Sequence, residues 1–288
     1  MPTQAQKAHV FRDLHQRDRA FIIPNPWDVG TARLLAHLGF EALATTSAGY
    51  AFSAGRRDNT TDRDEMMEHI STIASATDLP ISADLENGFG DAPEIVAETI
   101  WLAAAAGAVG GSIEDMSRQP GHPIYEHAFA VERVKAAAEV ARAFPFPFIL
   151  TARAENYLVG LPDLKDTIER LQAYQTAGAD VLYAPGLTTK DDIATVVKSL
   201  DRPVNVVMGL QGVQLSLAEL SAIGVKRISV GSALSRAALG AFLRAGQEMQ
   251  EHGTFSFADE AVSFRDLSAM FTACASPINP ARKKPNVS

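Results

Sequence analysis

The stretch that decides the fold is ISADLENGFGDAPEIVAETIWLAAAAGAVGGSI, residues 81–113. It begins with the apolar run 81–85 and continues into a loop rich in acidic residues and glycine. Residues 92–107 are typical of a helix, because Asp91 and Pro93 suit its start and Gly107 suits its end. A second apolar run, 109–113, follows at once. The segment therefore predicts a parallel strand–helix–strand unit.

The same pattern recurs along the chain and predicts eight strands. The apolar runs lie at 21–24, 42–46, 81–85, 109–113, 148–152, 181–184, 204–208 and 227–230. Eight such units in about 230 residues predict an α/β fold, a (β/α)8 TIM barrel over about 20–250 in a single domain, 1–288. A doubly wound open sheet uses the same units, but no G-x-G-x-x-G opens a helix after the first run. A further helical segment, 257–272, lies beyond the barrel and could pack against a partner subunit.

Composition and charge exclude several classes of protein. Lys and Arg number 26 against 34 Asp and Glu, a net charge of −8, which argues against a nucleic-acid partner. The single cysteine, Cys274, excludes an internal disulfide and any multi-cysteine metal site. No apolar stretch approaches the roughly 20 residues that a membrane span requires. We therefore expect a cytoplasmic protein with no membrane partner.

Acidic side chains collect where the active site of such a barrel is expected, at the carboxyl ends of the strands. Asp84 and Glu86 come at the end of the third run, and in an extended segment they would point to the same side. Glu114 ends the neighbouring strand. Three converging carboxylates need a counter-charge, and an all-oxygen set of ligands suits Mg²⁺ or Mn²⁺. The alternative is that these acids cap helices or pair with arginine.

Two further groups follow the predicted strands and are candidates for binding an anion. Arg153 ends the fifth run, and its guanidinium either binds a substrate carboxylate or pairs with a neighbouring acid. Ser47, Ala48 and Gly49 follow the second run. Their backbone amides either bind an anion or belong to a tight turn that simply needs small residues.

Six of the seven histidines fall into two groups. His122 follows Pro120 and Gly121 near the predicted mouth of the barrel, so it is a candidate for contacting the substrate. Five others lie in helical or terminal segments and are expected at the surface: His9, His15, His37, His69 and His252.

Four motifs, in this order along the chain, resemble those of the isocitrate lyase and phosphoenolpyruvate mutase superfamily. RDN at 57–59 is similar to its R-D segment, and DLENGFG at 84–90 to its D-x-D-T-G-Y-G metal motif. IED at 113–115 resembles its next acidic motif, and TARAEN at 151–156 its A-R-x-[DE] motif. The similarity extends from about residue 25 to residue 232, which is most of the chain.

The resemblance implies a (β/α)8 barrel whose last helix is swapped between subunits, so that the protein would be a homodimer or a homotetramer. The 257–272 segment would be that swapped helix. It also implies Mg²⁺ bound through Asp84, Glu86 and Glu114, with Asp58 helping to fix the metal or its water.

The resemblance further implies a small 2-oxo acid as substrate. Arg153 and Asn156 would bind it, and the backbone amides of Ser47, Ala48 and Gly49 would hold its carboxylate. Tyr50 or His122 would close over the site as proton donor. The loop 116–125 would select the substrate.

Two departures from the superfamily bear on the reaction. RQPGH at 118–122 lacks the cysteine of the K-[KR]-C-G-H motif of isocitrate and methylisocitrate lyases. YAPG at 183–186 lacks the histidine that phosphoenolpyruvate mutases carry after the sixth strand. We therefore expect a Mg²⁺-dependent lyase that cleaves a C–C bond of a 2-oxo acid or substituted malate, by retro-aldol cleavage or decarboxylation through a metal-bound enolate. The alternatives are a phosphoenolpyruvate or phosphonopyruvate mutase or hydrolase, and a non-catalytic 2-oxo acid binding protein.

Overall fold

Eight parallel strands form the wall of a barrel in the computed structural model, which describes residues 2–273. In chain order the strands are β1 (Phe21–Ile23), β2 (Leu43–Ala44), β3 (Ile81–Asp84), β4 (Gly110–Glu114), β5 (Met116–Gln119), β6 (His122–Ile124), β7 (Ile149–Arg153), β8 (Val181–Tyr183), β9 (Val204–Val207) and β10 (Arg227–Ser229). The strands β5 and β6 form a separate antiparallel hairpin. The other eight follow the order β1-β10-β9-β8-β7-β4-β3-β2.

The two ends of this sheet meet, because the backbone amide of Ala44, the last residue of β2, donates to the Pro24 carbonyl just after β1 at 3.1 Å. The predicted (β/α)8 TIM barrel is confirmed, and each of the eight predicted runs overlaps one of its strands. The hairpin was not predicted from the sequence.

Helices surround the barrel. They are α1 (Gln4–His15), α2 (Val29–His37), α3 (Ser47–Ser53), α4 (Arg63–Ala76), α5 (Pro93–Ala105), α6 (His127–Ala143), α7 (Leu164–Ala177), α8 (Lys190–Lys198), α9 (Leu217–Ala222), α10 (Ala233–His252) and α11 (Phe264–Ala273). Local sequence sets their ends: Pro93 occupies the first turn of α5, and Asp163 caps α7 by accepting the amides of Lys165 and Asp166. Gly178 ends α7 with φ 115°, a left-handed conformation that glycine adopts without strain.

The helix α1 closes the amino-terminal end of the barrel. Phe11 and Leu14 on its inner face are fully buried and pack with Phe21 and Ile149 at the bottom of the strands. Burying such side chains contributes about 1.5–3 kcal/mol each. The ammonium group of Lys7 holds the same helix to the end of α4 by donating to the Thr77 carbonyl at 2.6 Å. With this end sealed, access to the barrel interior lies at the carboxyl ends of the strands.

Two predictions about the periphery need correction. The predicted helix 257–272 is broken, with a 3-10 helix at Ser256–Glu260 followed by α11, and α11 packs along α2 of the same chain. His15 and His69 are buried rather than exposed, each with 6% of its surface accessible, because they lie on the inner faces of α1 and α4. Cys274 lies outside the described residues. No helix between residues 2 and 273 combines the length and the apolar character needed to cross a membrane.

Candidate active site

An open cavity of about 390 Å³ lies at the carboxyl ends of the strands. Five acidic residues line it together with Arg153 from β7, Arg236 from α10 and small residues that start α3. The polar lining includes Ser47, Asp58, Asp84, Glu86, Glu114, Arg153 and Glu155. The structure thus brings the acids that were singled out in the sequence to a single cavity.

Asp84 ends β3 and is held from two sides. Its Oδ2 accepts the backbone N–H of Ser47 at 3.0 Å and the Ser47 hydroxyl at 2.9 Å. Its Oδ1 lies 3.3 Å from Nη1 of Arg153, and its backbone amide donates to the Thr45 hydroxyl at 2.8 Å. The carboxylate therefore has a fixed orientation at the strand end, facing the cavity.

Arg153 is the positive centre of the site. Its Nη1 lies 3.1 Å from Glu114 Oε2 as well as close to Asp84, and its Nε donates to Glu155 Oε1 at 2.7 Å. The guanidinium carbon lies 5.2 Å from the centre of the Tyr183 ring, within the range of a cation–π contact. One guanidinium thus faces three carboxylates, which leaves negative charge in excess. The three carboxylates raise the pKa of Arg153 despite its burial, so it stays charged.

Glu86 lines the cavity, but it does not lie in an extended strand as the sequence analysis predicted. The strand β3 ends at Asp84, and Glu86 has φ 51°, so the alternation of an extended segment does not apply to this pair. Glu86 is only 2% exposed, and its Oε2 pairs with Arg118 of the hairpin. Its Oε1 is buried without a hydrogen-bond partner. Burial raises the pKa of Glu86 to about 7, opposed by Arg118.

Glu114 lies beside Arg153 because β4 and β7 pair with these two residues in register. It is 5% exposed, and burial raises its pKa well above the usual range, with Arg153 opposing the shift and Glu155 adding to it. Asp58 stands at the exposed rim, where partial desolvation and the charge of Asp84 raise its pKa. Burial and repulsion by neighbouring acids therefore both raise the pKa values of Glu114 and Asp58.

The donor set fits a hard divalent cation. Carboxylates from the ends of β3 and β4 and from the loop after β3 face one cavity, one buried oxygen of Glu86 has no hydrogen-bond partner, and the excess of acids favours an added cation. In residues 2–273 no group of three or more His, Cys, Asp or Glu side chains is arranged so that it could hold a metal ion as it stands; Arg118 pairs with Glu86, and Arg153 pairs with Asp84 and Glu114. The residues that would hold the cation are Asp84, Glu86 and Glu114.

Several residues singled out in the sequence lie away from this cavity. The Tyr50 hydroxyl donates to Glu65 at 2.8 Å, and its ring packs against His69. His122 is an exposed residue of the hairpin. The amide of Asn156 donates to Asp166 on α7 at 2.7 Å, and Asn156 is 1% exposed. These three side chains do not line the cavity, so a role for them would be to position other groups.

The loop expected to bind a substrate carboxylate is partly engaged by the protein itself. The Ser47 amide donates to Asp84, and the Gly49 amide donates to the Thr46 hydroxyl that caps α3. A Cβ on Gly49 would lie 2.6 Å from Cγ2 of Thr46 and 3.2 Å from Cβ of Trp27. Close packing therefore accounts for the glycine. Ser47 and Ala48 line the cavity, whereas Gly49 does not.

Arg133 on α6 was missed in the sequence and clamps the loop that follows Asp84. It is 2% exposed and donates to the carbonyls of Asn87, Gly90 and Asp91, the second at 2.8 Å. Its guanidinium also stacks 4.1 Å from the centre of the Tyr125 ring. These contacts hold a loop in which Glu86 and Phe89 both have positive φ. No sequence pattern indicates such a contact, because Arg133 is 47 residues beyond Glu86 in a helix.

Asp115 is likewise a supporting residue. Its Oδ1 accepts the Glu155 amide at 2.8 Å, and its Oδ2 accepts from the Tyr174 hydroxyl at 2.6 Å and from Arg170 at 3.2 Å. It is 3% exposed and does not line the cavity. The second acid of the 113–115 motif therefore fixes the backbone beside Arg153 and leaves Glu114 to face the cavity.

A TIM barrel with an acidic, arginine-centred site at its mouth defines a class of enzymes, and comparison with known proteins gives the family. The model of the phosphoenolpyruvate phosphomutase family matches residues 11–250, so the chain belongs to this family, within the isocitrate lyase and phosphoenolpyruvate mutase superfamily. That superfamily contains Mg²⁺-dependent C–C lyases and mutases. The resemblance noted in the sequence motifs is confirmed.

Three relatives illustrate the range of the family. A crystal structure from Burkholderia cenocepacia J2315, provisionally called a lyase/mutase, is 65% identical with a TM-score of 0.92, over 93% of this chain and 96% of that one. The oxaloacetate decarboxylase of Chromohalobacter salexigens is 30% identical over 248 residues, which cover 83% of each chain. A phosphonopyruvate hydrolase complexed with oxalate and Mg²⁺ is 25% identical with a TM-score of 0.80, over 93% of this chain and 95% of that one.

Proposed function

We propose that the protein is a Mg²⁺-dependent lyase that cleaves a C–C bond of a small 2-oxo acid or substituted malate, by retro-aldol cleavage or decarboxylation. One observation carries the proposal: Asp84, Glu86 and Glu114 face the same cavity as Arg153, at the end of the barrel where such enzymes bind substrate. The cavity volume of about 390 Å³ is in the range of small-molecule sites.

Asp84, Glu86 and Glu114 would hold Mg²⁺ or Mn²⁺, directly or through water, with Asp58 at the rim orienting a water molecule. When bound, the cation supplies a Lewis acid that stabilises negative charge developing on a substrate oxygen. Glu86 and Glu114 suit this role because burial and the charge of Asp84 disfavour their ionised forms, and an added cation would offset that cost. The related hydrolase complex with Mg²⁺ supports the choice of metal.

Arg153 would bind the carboxylate or the oxo group of the substrate. Glu155 fixes its Nε, and the Tyr183 ring lies against the guanidinium, so the Nη atoms are left facing the cavity. A fixed guanidinium loses little conformational entropy on binding and can donate two parallel hydrogen bonds. Asp84 and Glu114 both lie against Nη1.

The comparisons support a 2-oxo acid as substrate. One relative is an oxaloacetate decarboxylase, and a structural neighbour binds oxalate, a small planar dianion. The barrel interior below Arg153 is sealed by α1, so the acids and the arginine meet a bound molecule only from the open mouth. Enclosure by Leu158 and Pro185 excludes part of the solvent and strengthens charge interactions in the site.

The test is release of pyruvate from oxaloacetate, 2-methylisocitrate, 2,3-dimethylmalate and phosphonopyruvate, with Mg²⁺ and with chelator. We expect chelator-sensitive turnover of one of the C–C substrates. Asp84→Asn should lower turnover at least about 100-fold, whereas Glu132→Gln, which removes an exposed acid of α6, should leave it unchanged. Phosphorus NMR that showed turnover of phosphonopyruvate alone would favour a mutase or hydrolase, and Mg²⁺-dependent binding without any product would favour a binding protein.

We also propose that the protein is a homo-oligomer formed through α10 and α11. Phe242 and Leu243 on α10 are 73% and 61% exposed, and Phe264 at the start of α11 is 89% exposed. Apolar side chains clustered on two consecutive helices are typical of an interface. A second copy of the chain, exchanging its C-terminal helix, would cover them.

A further inference from the structure

Each acid that would hold the divalent cation is paired with an arginine. Arg118 of the hairpin pairs with Glu86. Arg153 pairs with Asp84 and with Glu114. A carboxylate that contacts a guanidinium and a divalent cation together brings two positive charges close to each other, and they repel. A cation that binds these acids therefore competes with an arginine.

Arg153 is the arginine that cannot easily give way. It ends β7 in the wall of the barrel, and its side chain is 14% exposed. Its Nε donates to Glu155 at 2.7 Å, and its guanidinium lies 5.2 Å from the centre of the Tyr183 ring. Moving this side chain would break buried contacts, which is costly.

Arg118 is the arginine that can give way. Its side chain is 29% exposed, and it belongs to a hairpin whose strands are 4 and 3 residues long. The neighbouring contact of the hairpin is solvated as well, since Gln119 donates to Asp91 at 3.1 Å at the surface. Arg118 also has φ 59°, a left-handed conformation that is uncommon for a residue other than glycine. Its pairing with Glu86 helps to hold this backbone in place.

The charge of Arg118 acts on the same acids as the cation would. Its partner Glu86 is buried, and Oε1 of that carboxylate has no hydrogen-bond partner. Burial raises the pKa values of Glu86 and of Asp58, and the charge of Arg118 opposes the shift at both. The guanidinium thus supplies part of the positive charge that these two acids require.

We propose that Arg118 is an internal competitor of the divalent cation for Glu86, and that cation binding displaces Arg118 and frees the tip of the hairpin, residues 118–122. The apparent affinity for the cation is then reduced by the fraction of molecules in which Arg118 holds Glu86. This inference rests on the proposed metal site and assigns the control of its affinity to a residue that does not line the cavity.

Calorimetric titration of the full-length protein with Mg²⁺ gives the sign of the effect. Arg118→Met should lower the Kd for Mg²⁺ about 3–10-fold, the gain expected from removing a partly exposed ion pair. Arg118→Lys keeps the charge and should restore most of the wild-type Kd. Gln119→Ala is the matched control, because it removes the adjacent hairpin contact without removing a charge, and it should leave the Kd within about twofold of wild type.

Hydrogen exchange of the wild type tests the same displacement without any variant. Mg²⁺ should speed the exchange of the backbone amides of residues 116–124, because the ion frees the hairpin from Glu86. Exchange that Mg²⁺ slows or leaves unchanged would overturn the role of Arg118. So would a folded Arg118→Met variant that binds Mg²⁺ as well as wild type or more weakly. A wild-type protein that binds no Mg²⁺ would refute the metal site itself, and this inference with it.

Discussion

Replacing Glu86 by glutamine should stabilise the metal-free protein at high pH while abolishing metal binding through this residue. Glu86 is 2% exposed, and burial raises its pKa from 4.5 to about 7. A shift of this size corresponds to about 3 kcal/mol of unfavourable free energy for the ionised form in the folded state. Glutamine has nearly the same shape and carries no charge, so it removes this penalty. It also weakens the contact with Arg118. Because the Arg118 side chain is partly exposed, losing this contact costs about 1 kcal/mol or less.

The direction in which the free energy of unfolding changes with pH follows from proton binding. Between the ordinary pKa of 4.5 and the raised value of about 7, folded Glu86 holds a proton that the unfolded chain has released. The free energy of unfolding of the metal-free wild type therefore falls as pH rises through this window, and the loss is complete above it. Glu114 and Glu155 also have raised pKa values, so part of the pH dependence should remain in the variant.

The assay is urea unfolding in chelator at about pH 5 and about pH 8, which lie near the two ends of the window. Relative to wild type, Glu86→Gln should gain about 2–3 kcal/mol at the higher pH and little at the lower pH. Glu132→Gln, an exposed acid, should show no such difference. If Glu86→Gln were less stable than wild type at the higher pH in chelator, burial of an ionised Glu86 would not be the origin of its raised pKa.

Four further outcomes are expected. Mg²⁺ affinity measured by calorimetry should fall up to tenfold per pH unit below about pH 7, because Glu86 must lose its proton to bind the ion. Arg133→Met should weaken Mg²⁺ binding about tenfold and lower the free energy of unfolding by about 2–4 kcal/mol, since three loop carbonyls lose a charged donor. Arg153→Lys should lower kcat/KM at least about 100-fold with an unchanged circular dichroism spectrum, because a lysine cannot bind two oxygens in parallel. Replacing both Phe242 and Leu243 by serine should reduce the molar mass measured by light scattering to that of a smaller assembly.

The sequence predicts the barrel and the convergence of the acids because both follow from local patterns. The alternation of apolar runs and helices defines the eight strands, and residues that follow parallel strands meet at the same end. Asp84, Glu114 and Arg153 lie at strand ends, and the register of β4 with β7 places Glu114 and Arg153 side by side. That these three residues line one cavity can therefore be predicted once the strand boundaries are correct.

What the sequence does not predict depends on contacts between distant segments. The pairing of Glu86 with Arg118 requires the hairpin, whose two strands are only 4 and 3 residues long and carry no strong apolar pattern. The left-handed backbone at Glu86 is stabilised by Arg133 on another helix, so alternation along an extended strand was the wrong guide to its orientation. The placement of Tyr50 against His69 likewise follows from packing between α3 and α4.

We propose above all that the carboxylates of the cavity hold a divalent cation on which a 2-oxo acid binds together with Arg153. The most direct test is calorimetric titration with oxalate, in Mg²⁺ and in chelator, of wild type and of Asp84→Asn. We expect Mg²⁺ to strengthen oxalate binding to the wild type at least about tenfold, and this gain to be lost in the variant. Equal oxalate affinity with and without Mg²⁺, or a full Mg²⁺ effect in Asp84→Asn, would contradict it.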